Sequence, residues 1–246
     1  MRALVVSDLH SNAEALRVVM NRVRRKKFDQ VICLGDFVGY GAQPNQVLDT
    51  MRTMRAPKLY IRGNHDRVAA GLDDAEGFNA AAKHAAIWTR DHLSPANRRF
   101  LRDLPLGPTT RGDVQLCHGS PHDEDEYVFN GHHAATVFGN SDARFILYGH
   151  THMPVIFALD GNGYVEGAAI RGDATLRLSA GYRYLINPGS VGQPRDRDPR
   201  AAYAIFTPET QNVEYRRVDY DIPAAATKIM TAGLPQILAA RLFEGV

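Results

Sequence analysis

The stretch Leu59-Tyr60-Ile61-Arg62-Gly63-Asn64-His65-Asp66 runs an apolar segment into a turn glycine, an amide, an imidazole and a carboxylate. Alone it proves little, because His and Asp are ordinary loop residues. Four other stretches repeat the pattern. Asp8-Leu9-His10 follows Ala3-Leu4-Val5-Val6, and Gly35-Asp36 follows Val31-Ile32-Cys33-Leu34. His118-Gly119 follows Val114-Gln115-Leu116-Cys117, and Gly149-His150-Thr151-His152 follows Phe145-Ile146-Leu147-Tyr148. Short apolar runs bounded by turn signals read as buried strands. In open α/β sheets, ligands bind beyond the carboxyl ends of the strands. Five such ends predict one site assembled from distant parts of the chain.

Working outward, residues 2–7 read as a strand, and Ser11-Asn12-Ala13-Glu14 has the spacing of a capping box. Leu16, Val19, Met20 and Val23 continue as one helical stripe. Strand two is read at 28–34. Pro44 suits the first turn of a second helix, lined by Val47, Leu48, Met51 and Met54, and strand three lies near 58–62. This βαβαβ opening implies a parallel sheet with right-handed crossovers. Residues 77–104 read as helical, restarting at Ser94-Pro95. Short strands follow near 114–117, 145–148, 155–159, 164–170, 175–178, 184–187, 201–206 and 213–218. We read them as a second, more antiparallel sheet packed on the first, with helices outside. Residues 222–244 read as helical with a break at Gly233-Leu234-Pro235. Their apolar positions Ile229, Leu234, Ile237, Leu238, Leu242 and Phe243 could cap the core or form a homodimer face.

A chain of 246 residues, 44% hydrophobic, can bury a sizeable core. We read residues 1–246 as one domain, with 222–246 as a C-terminal helical extension. The net charge of +2 is too near balance to make nucleic acid or a membrane surface an expected partner. The apolar run after Met1-Arg2 is too short for a signal-peptide core, and no stretch reaches the roughly 18 apolar residues of a membrane span. Cys33 and Cys117 sit inside apolar runs, as buried thiols of a reducing compartment do. The expected location is the cytoplasm.

Asp8, His10, Asp36, Asn64, His118, His150 and His152 are the candidate ligands. Two carboxylates, four imidazoles and an amide exceed one tetrahedral zinc and suit two adjacent ions sharing a carboxylate. A nitrogen and oxygen donor set without thiolate fits Mn, Fe, Zn, Co or Ni. In extended chain, residues i and i+2 point the same way, so Asp8 with His10, and His150 with His152, would each face one centre.

These blocks resemble the calcineurin-like metallophosphoesterase superfamily, whose pattern is D-x-H, G-D, G-N-H-(D/E), a later H and G-H-x-H. All are present, in order, across residues 8–152. A weaker similarity, to small prokaryotic phosphodiesterases of the diadenosine-tetraphosphatase-like branch, rests on Gly39-Tyr40-Gly41 and on Asn187-Pro188-Gly189-Ser190-Val191-Gly192. The resemblance implies a four-layer αββα sandwich of two mixed β-sheets flanked by helices. It implies two divalent ions per chain, manganese first among those expected. Asp8, His10, Asp36 and His152 would hold one ion, and Asp36, Asn64, His118 and His150 the other. A bridging hydroxide would attack phosphorus, and His65, oriented by Asp66, would protonate or stabilise the leaving oxygen.

The activity expected is hydrolysis of a small phosphodiester or phosphomonoester. The alternatives are a protein Ser/Thr phosphatase, a nucleotide pyrophosphohydrolase or, in a different class, a non-catalytic metal-binding scaffold. Tyr40, His122 and Arg195 are candidate substrate contacts, although Arg195 shares an acid-rich loop with Asp196 and Asp198, where a solvated mixed-charge loop is the plainer reading. Asn187 to Gly192 reads equally as a turn or as a phosphate-facing loop. The acidic run from Glu124 to Glu126 would disfavour a polyanion if it lay near the site.

Overall fold

The computed structural model describes residues 1–246. The chain runs β1 (Ala3–Val6), α1 (Ala13–Val23), β2 (Gln30–Cys33), α2 (Pro44–Thr53), β3 (Lys58–Tyr60) and α3 (Asn64–Ala69). It continues through α4 (Ala80–His92), α5 (Pro95–Asp103), β4 (Thr109–Arg111), β5 (Val114–Leu116), α6 (Gly131–Gly139) and β6 (Phe145–Leu147). It closes with β7 (Pro154–Leu159), β8 (Val165–Ala169), β9 (Ala174–Arg177), β10 (Arg183–Pro188), β11 (Ala201–Thr207), β12 (Asn212–Val218), α7 (Ile222–Thr231) and α8 (Gln236–Glu244). One six-stranded sheet has the order β3-β2-β1-β11-β12-β9, the other β4-β5-β6-β10-β7-β8.

Alternation along the strands explains the layers. In β1, Ala3 and Val5 face the opposite sheet and pack with Phe145, Leu147, Ile186 and Phe206. Leu4 and Val6 face outward onto Leu16 and Val19 of α1 and Leu48 and Met51 of α2. The other sheet turns Ile146, Phe157 and Leu185 outward onto Ala134, Val137 and Phe138 of α6. Strand side chains alternate faces, so both sheets bury both faces, and the result is the expected αββα sandwich. Burying a Leu- or Phe-sized side chain stabilises the fold by about 1.5–3 kcal/mol, so the core between the sheets supplies a large share of the driving force.

The structure corrects three expectations. The second half of the chain is not confined to a second sheet: β9, β11 and β12 join the first, where β11 lies antiparallel to β1. Nor is either sheet the more antiparallel one, because β1, β2 and β3 are parallel in one and β5, β6 and β10 in the other. Helix α1 starts one residue later than a Ser11 cap requires. Asn12 is the cap, its side chain accepting from Ala15 N at 3.0 Å, while Ser11 sits at φ +53°. Glu14 pairs with Lys228 of α7. That contact fastens the C-terminal helices to the body. There Ile229, Leu234, Leu238 and Leu242 pack around Tyr40, whereas Met230, Ile237 and Phe243 stay about half exposed. No helix is long and apolar enough to cross a membrane.

Candidate metal centre

The carboxyl ends of β1, β2 and β3 meet those of β5, β6 and β10 along one edge of the sandwich. Asp8 and His10 follow β1, Asp36 follows β2, and Asn64 and His65 open α3 just after β3. His118 follows β5, and His150 and His152 follow β6. All eight of these side chains are buried. The i, i+2 pairs do not converge by extended geometry. Asp8, His10, Asp36, His150 and His152 all have positive φ, between +43° and +64°. Strands β1, β2 and β6 end in tight left-handed turns that fold the side chains back onto the sheet edge. Asp and His visit this region more readily than most side chains, at some cost in strain. The glycines next to these residues allow close approach. A Cβ on Gly63 would lie 2.2 Å from Asp36 Oδ1, and one on Gly149 2.0 Å from Ser7 Oγ.

Two groups of potential ligand atoms result, each with its members within 4.8 Å of one another: Asp8, His10, Asp36 and His152, and Asp36, His118 and His150. Asn64 Oδ1 lies 3.3 Å from His118 Nε2, which places the amide in the second group. Asp36 belongs to both. Its Oδ2 is 3.5 Å from His10 Nε2 and 3.4 Å from His118 Nε2. The imidazoles are oriented from behind by backbone carbonyls. Nδ1 of His10 bonds Val38 O, that of His118 bonds Leu34 O, and that of His152 bonds Gln193 O. His150 is reversed, with Nε2 on Asp125 O at 3.1 Å. With the rear nitrogens donating, the front nitrogens of His10, His150 and His152 carry lone pairs, as metal-ligating histidines do, and that of His118 does so once its proton is lost.

The donor set fits cations. Nε2 of His10 and Nε2 of His152 face each other at 3.0 Å, two lone pairs in need of a positive centre between them. Asp8 Oδ2 and Asp36 Oδ2 are buried without a hydrogen-bond partner, an arrangement that a protein interior otherwise avoids. Burial holds His10 and His152 well below the ordinary imidazole range, and holds His150 down at about 3. Burial also works against a charged His118, but Asp36 outweighs it and lifts His118 to about 10. Burial would raise Asp36, yet His118, His65 and His10 keep it well below the usual carboxylate range. Burial, opposed by His118 and reinforced by Asp36, lifts Asp8 to about 7.

His65 stands beside these groups without joining either. Its ring packs on Tyr40 at 4.4 Å, Phe78 at 4.6 Å and His10 at 5.0 Å, and burial lowers it to about 4. Asp66 makes no hydrogen bond to the His65 ring. Asp66 instead accepts from Val38 N at 3.2 Å and Gly63 N at 3.0 Å, tying the loop after β2 to the loop after β3. Its constraint on His65 runs through the backbone.

The remaining candidates separate cleanly. Arg195 reaches the site, against the plainer reading of its loop. Its Nη2 donates to Tyr40 Oη and Gln193 Oε1, both at 3.2 Å. The neighbouring acids are taken by other arginines, Asp196 by Arg217 and Asp198 by Arg200. Arg195 therefore has no carboxylate partner. Tyr40 is buried between His10 and His65. His122 pairs with Glu126 at 3.0 Å and lies outside both ligand groups. The loop after β10 does return to the site, but its polar groups are spent on bracing. Asn187 donates to Gly149 O and Thr151 Oγ1, Ser190 Oγ donates to Asp8 O, and Gly192 N donates to Asp8 O. The acidic run is also close, with Arg67 pairing Glu124 and Asp125. Tyr127, stacked on His150 at 4.0 Å, and Phe78 went unnoticed in the sequence because isolated loop aromatics carry no local signal.

Comparison with known proteins agrees with this geometry. The chain is 37% identical to a metallophosphoesterase from Sphaerobacter thermophilus of known structure, with both chains fully covered and a TM-score of 0.87. It is 37% identical to an uncharacterised protein of Methanocaldococcus jannaschii, over 98% of this chain and 97% of that one. A hypothetical protein from Pyrococcus horikoshii, 20% identical, shares the fold over all of this chain and 98% of its own, with a TM-score of 0.81. The calcineurin-like phosphoesterase superfamily domain matches residues 1–211, and the chain belongs to that superfamily.

Proposed function

We propose that this protein is a dinuclear metal-dependent phosphoesterase acting on a small phosphodiester or phosphomonoester. The observation that carries the reading is the shared carboxylate: Asp36 stands in both ligand groups, so two cations could be held side by side. Asp8, His10, Asp36 and His152 would hold one ion, and Asp36, Asn64, His118 and His150 the other, with manganese the first metal to test and Fe, Zn, Co and Ni compatible. Bound there, such ions lower the pKa of a water and neutralise phosphoryl oxygens.

The chain's own residues supply the rest. His65, held low by burial, is neutral at pH 7. It would serve the leaving oxygen as an N–H donor inside a buried pocket, where a fixed dipole counts for more than in water. Arg195, without a carboxylate partner, would bind a phosphoryl oxygen. Tyr40 would hold the Arg195 guanidinium and the His65 ring in register. Cys33 and Cys117 are buried free thiols, and a cytoplasmic location is part of the proposal.

The test is hydrolysis of bis-p-nitrophenyl phosphate beside p-nitrophenyl phosphate, in EDTA and then with added Mn²⁺, with bound metal counted. Cleavage restored by metal, with about two ions per chain, is expected. A preference for either ester sets the class, diester or monoester. Silence on both with no metal bound points to a non-catalytic protein.

A further inference from the structure

A cleft of about 450 Å³ opens beside His65, Asn64 and His150. If His65 serves the leaving oxygen, the leaving group lies in this cleft. Its lining is acidic. Asp73, Asp74, Glu76 and Asp125 border it against one cation, Arg67. That guanidinium is already engaged by Asp73, Asp125 and Glu124, while Asp74 and Glu76 are exposed with no cationic partner. The walls are aromatic. Tyr127 is 40% exposed, and Phe78 lies over His65. His65 itself, 4% exposed, lines the cleft, with its unpartnered Nδ1 turned towards Gly39.

The neighbouring cleft, of about 650 Å³, has the opposite character. It is half apolar and carries Arg171, Arg195 and Arg197 against Asp196, which Arg217 holds. The two clefts are thus of opposite charge, and Arg195 stands in the basic one.

Resting on the phosphoesterase reading, we propose that the cleft beside His65 receives a leaving alcohol that carries a positive charge, an amino alcohol of the choline or ethanolamine type. A cation within about 6 Å of an aromatic face is attracted by the ring quadrupole, and carboxylates at the same distance add to it. A polyphosphate leaving group would instead meet unpaired carboxylates well inside the screening length of about 8–10 Å. The nucleotide pyrophosphohydrolase alternative is therefore disfavoured on this side. The reaction balances as hydrolysis. Water forms a new P–O bond, the P–O bond to the amino alcohol breaks, and the alcohol leaves with a proton; phosphorus keeps its oxidation state and no co-reactant is needed.

The experiment compares glycerophosphocholine with the glycerol phosphodiester of 3,3-dimethylbutanol, which has the shape of choline without its charge. Release of each alcohol is followed with Mn²⁺ present. Wild type should favour the charged ester by about tenfold or more in kcat/KM. In Asp74→Asn/Glu76→Gln, both changes on exposed side chains, that ratio should fall towards one. Choline should also inhibit bis-p-nitrophenyl phosphate hydrolysis more strongly than 3,3-dimethylbutanol. A wild-type ratio near one, a ratio untouched by the double variant, or cleavage of bis-p-nitrophenyl phosphate alone overturns the inference and leaves the phosphoesterase reading standing. No metal-dependent cleavage of any ester overturns both.

Discussion

Each sheet of this protein has a parallel part and an antiparallel part, and they do different work. In one sheet β1, β2 and β3 run parallel, and in the other β5, β6 and β10 do. Every ligand candidate, His65 and the bracing loop at 187–193 follow one of these six strands. Strands β4, β7, β8, β9, β11 and β12 enter only antiparallel pairs, and no ligand follows them. Parallel strands joined by crossovers bring successive carboxyl ends to one edge, whereas antiparallel neighbours send them to opposite edges. The parallel parts gather the chemistry, and the antiparallel parts close the sheets. Substitutions should divide along the same line.

The largest effect is expected at Asp36, after β2. Asp36→Asn removes the charge that both ligand groups share. Metal content measured by mass spectrometry should fall from about two ions per chain to below one, and kcat/KM on bis-p-nitrophenyl phosphate should fall by about a thousandfold. Full metal content with more than a tenth of wild-type activity would break the assignment. His65→Ala, after β3, comes next. It should keep both ions and lose about 10²–10³-fold in turnover, most on esters with poor leaving groups. Near wild-type rates on such esters would remove His65 from the chemistry.

Ligation should also be linked to pH. With His118 at about 10 and Asp8 at about 7 in the metal-free protein, both must lose protons to ligate. Between pH 7 and 10, these ligands should release about one proton on metal binding, and below pH 7 about two, to which ionisation of a metal-bound water adds. Affinity therefore weakens as pH falls, more steeply below 7. Titration calorimetry in buffers of different ionisation enthalpy counts the protons. None released at pH 8 would mean that His118 is not held as a cation by Asp36. Asp66→Asn separates a brace from an orienter. It turns one of the two carboxylate oxygens of Asp66, each accepting from a backbone N–H, into a donor facing a donor, a loss of about 1–3 kcal/mol of stability. The melting temperature should drop by several degrees, with kcat reduced less than in His65→Ala. The same fall in kcat as His65→Ala at unchanged stability would restore a direct role.

How much of this could be read in the chain follows the same division. Strand ends carrying Asp, His and Asn are local signals, so the ligand candidates and the parallel βαβαβ opening were legible. The return of β11 to β1 pairs residues some two hundred positions apart, and no short-range pattern marks it. Helices α3 and α6 escaped because six and nine residues give too few turns for an apolar stripe. The left-handed turns at Asp8 and His150 were hidden because the ligand residues themselves take positive φ, and only glycine signals that conformation reliably in a sequence. The bracing role of Asn187 and Ser190, and the release of Arg195 from the acids beside it, depend on partners such as Arg217 that come from another strand.

The smallest effect is expected furthest from the parallel strands. Strand β9 is the outer edge of its sheet, three places from β1. Its Thr175 is exposed, sits opposite Glu214 and accepts only long contacts from Arg216, at 3.3 and 3.4 Å. In Thr175→Ala, Arg216 keeps Glu214 Oε2 at 2.7 Å, Tyr215 O at 2.8 Å and Ala174 O at 3.0 Å. What is lost is a modest β-propensity at an edge position, which depends on context more than on the backbone. Stability should change by no more than about 0.5 kcal/mol, and kcat/KM with metal bound should stay within twofold. A tenfold loss of activity at unchanged melting temperature would mean that strain passes from the antiparallel edge through β12 and β11 to Asp8. The division between gathering and closing strands would then give way to a sheet that acts as one piece.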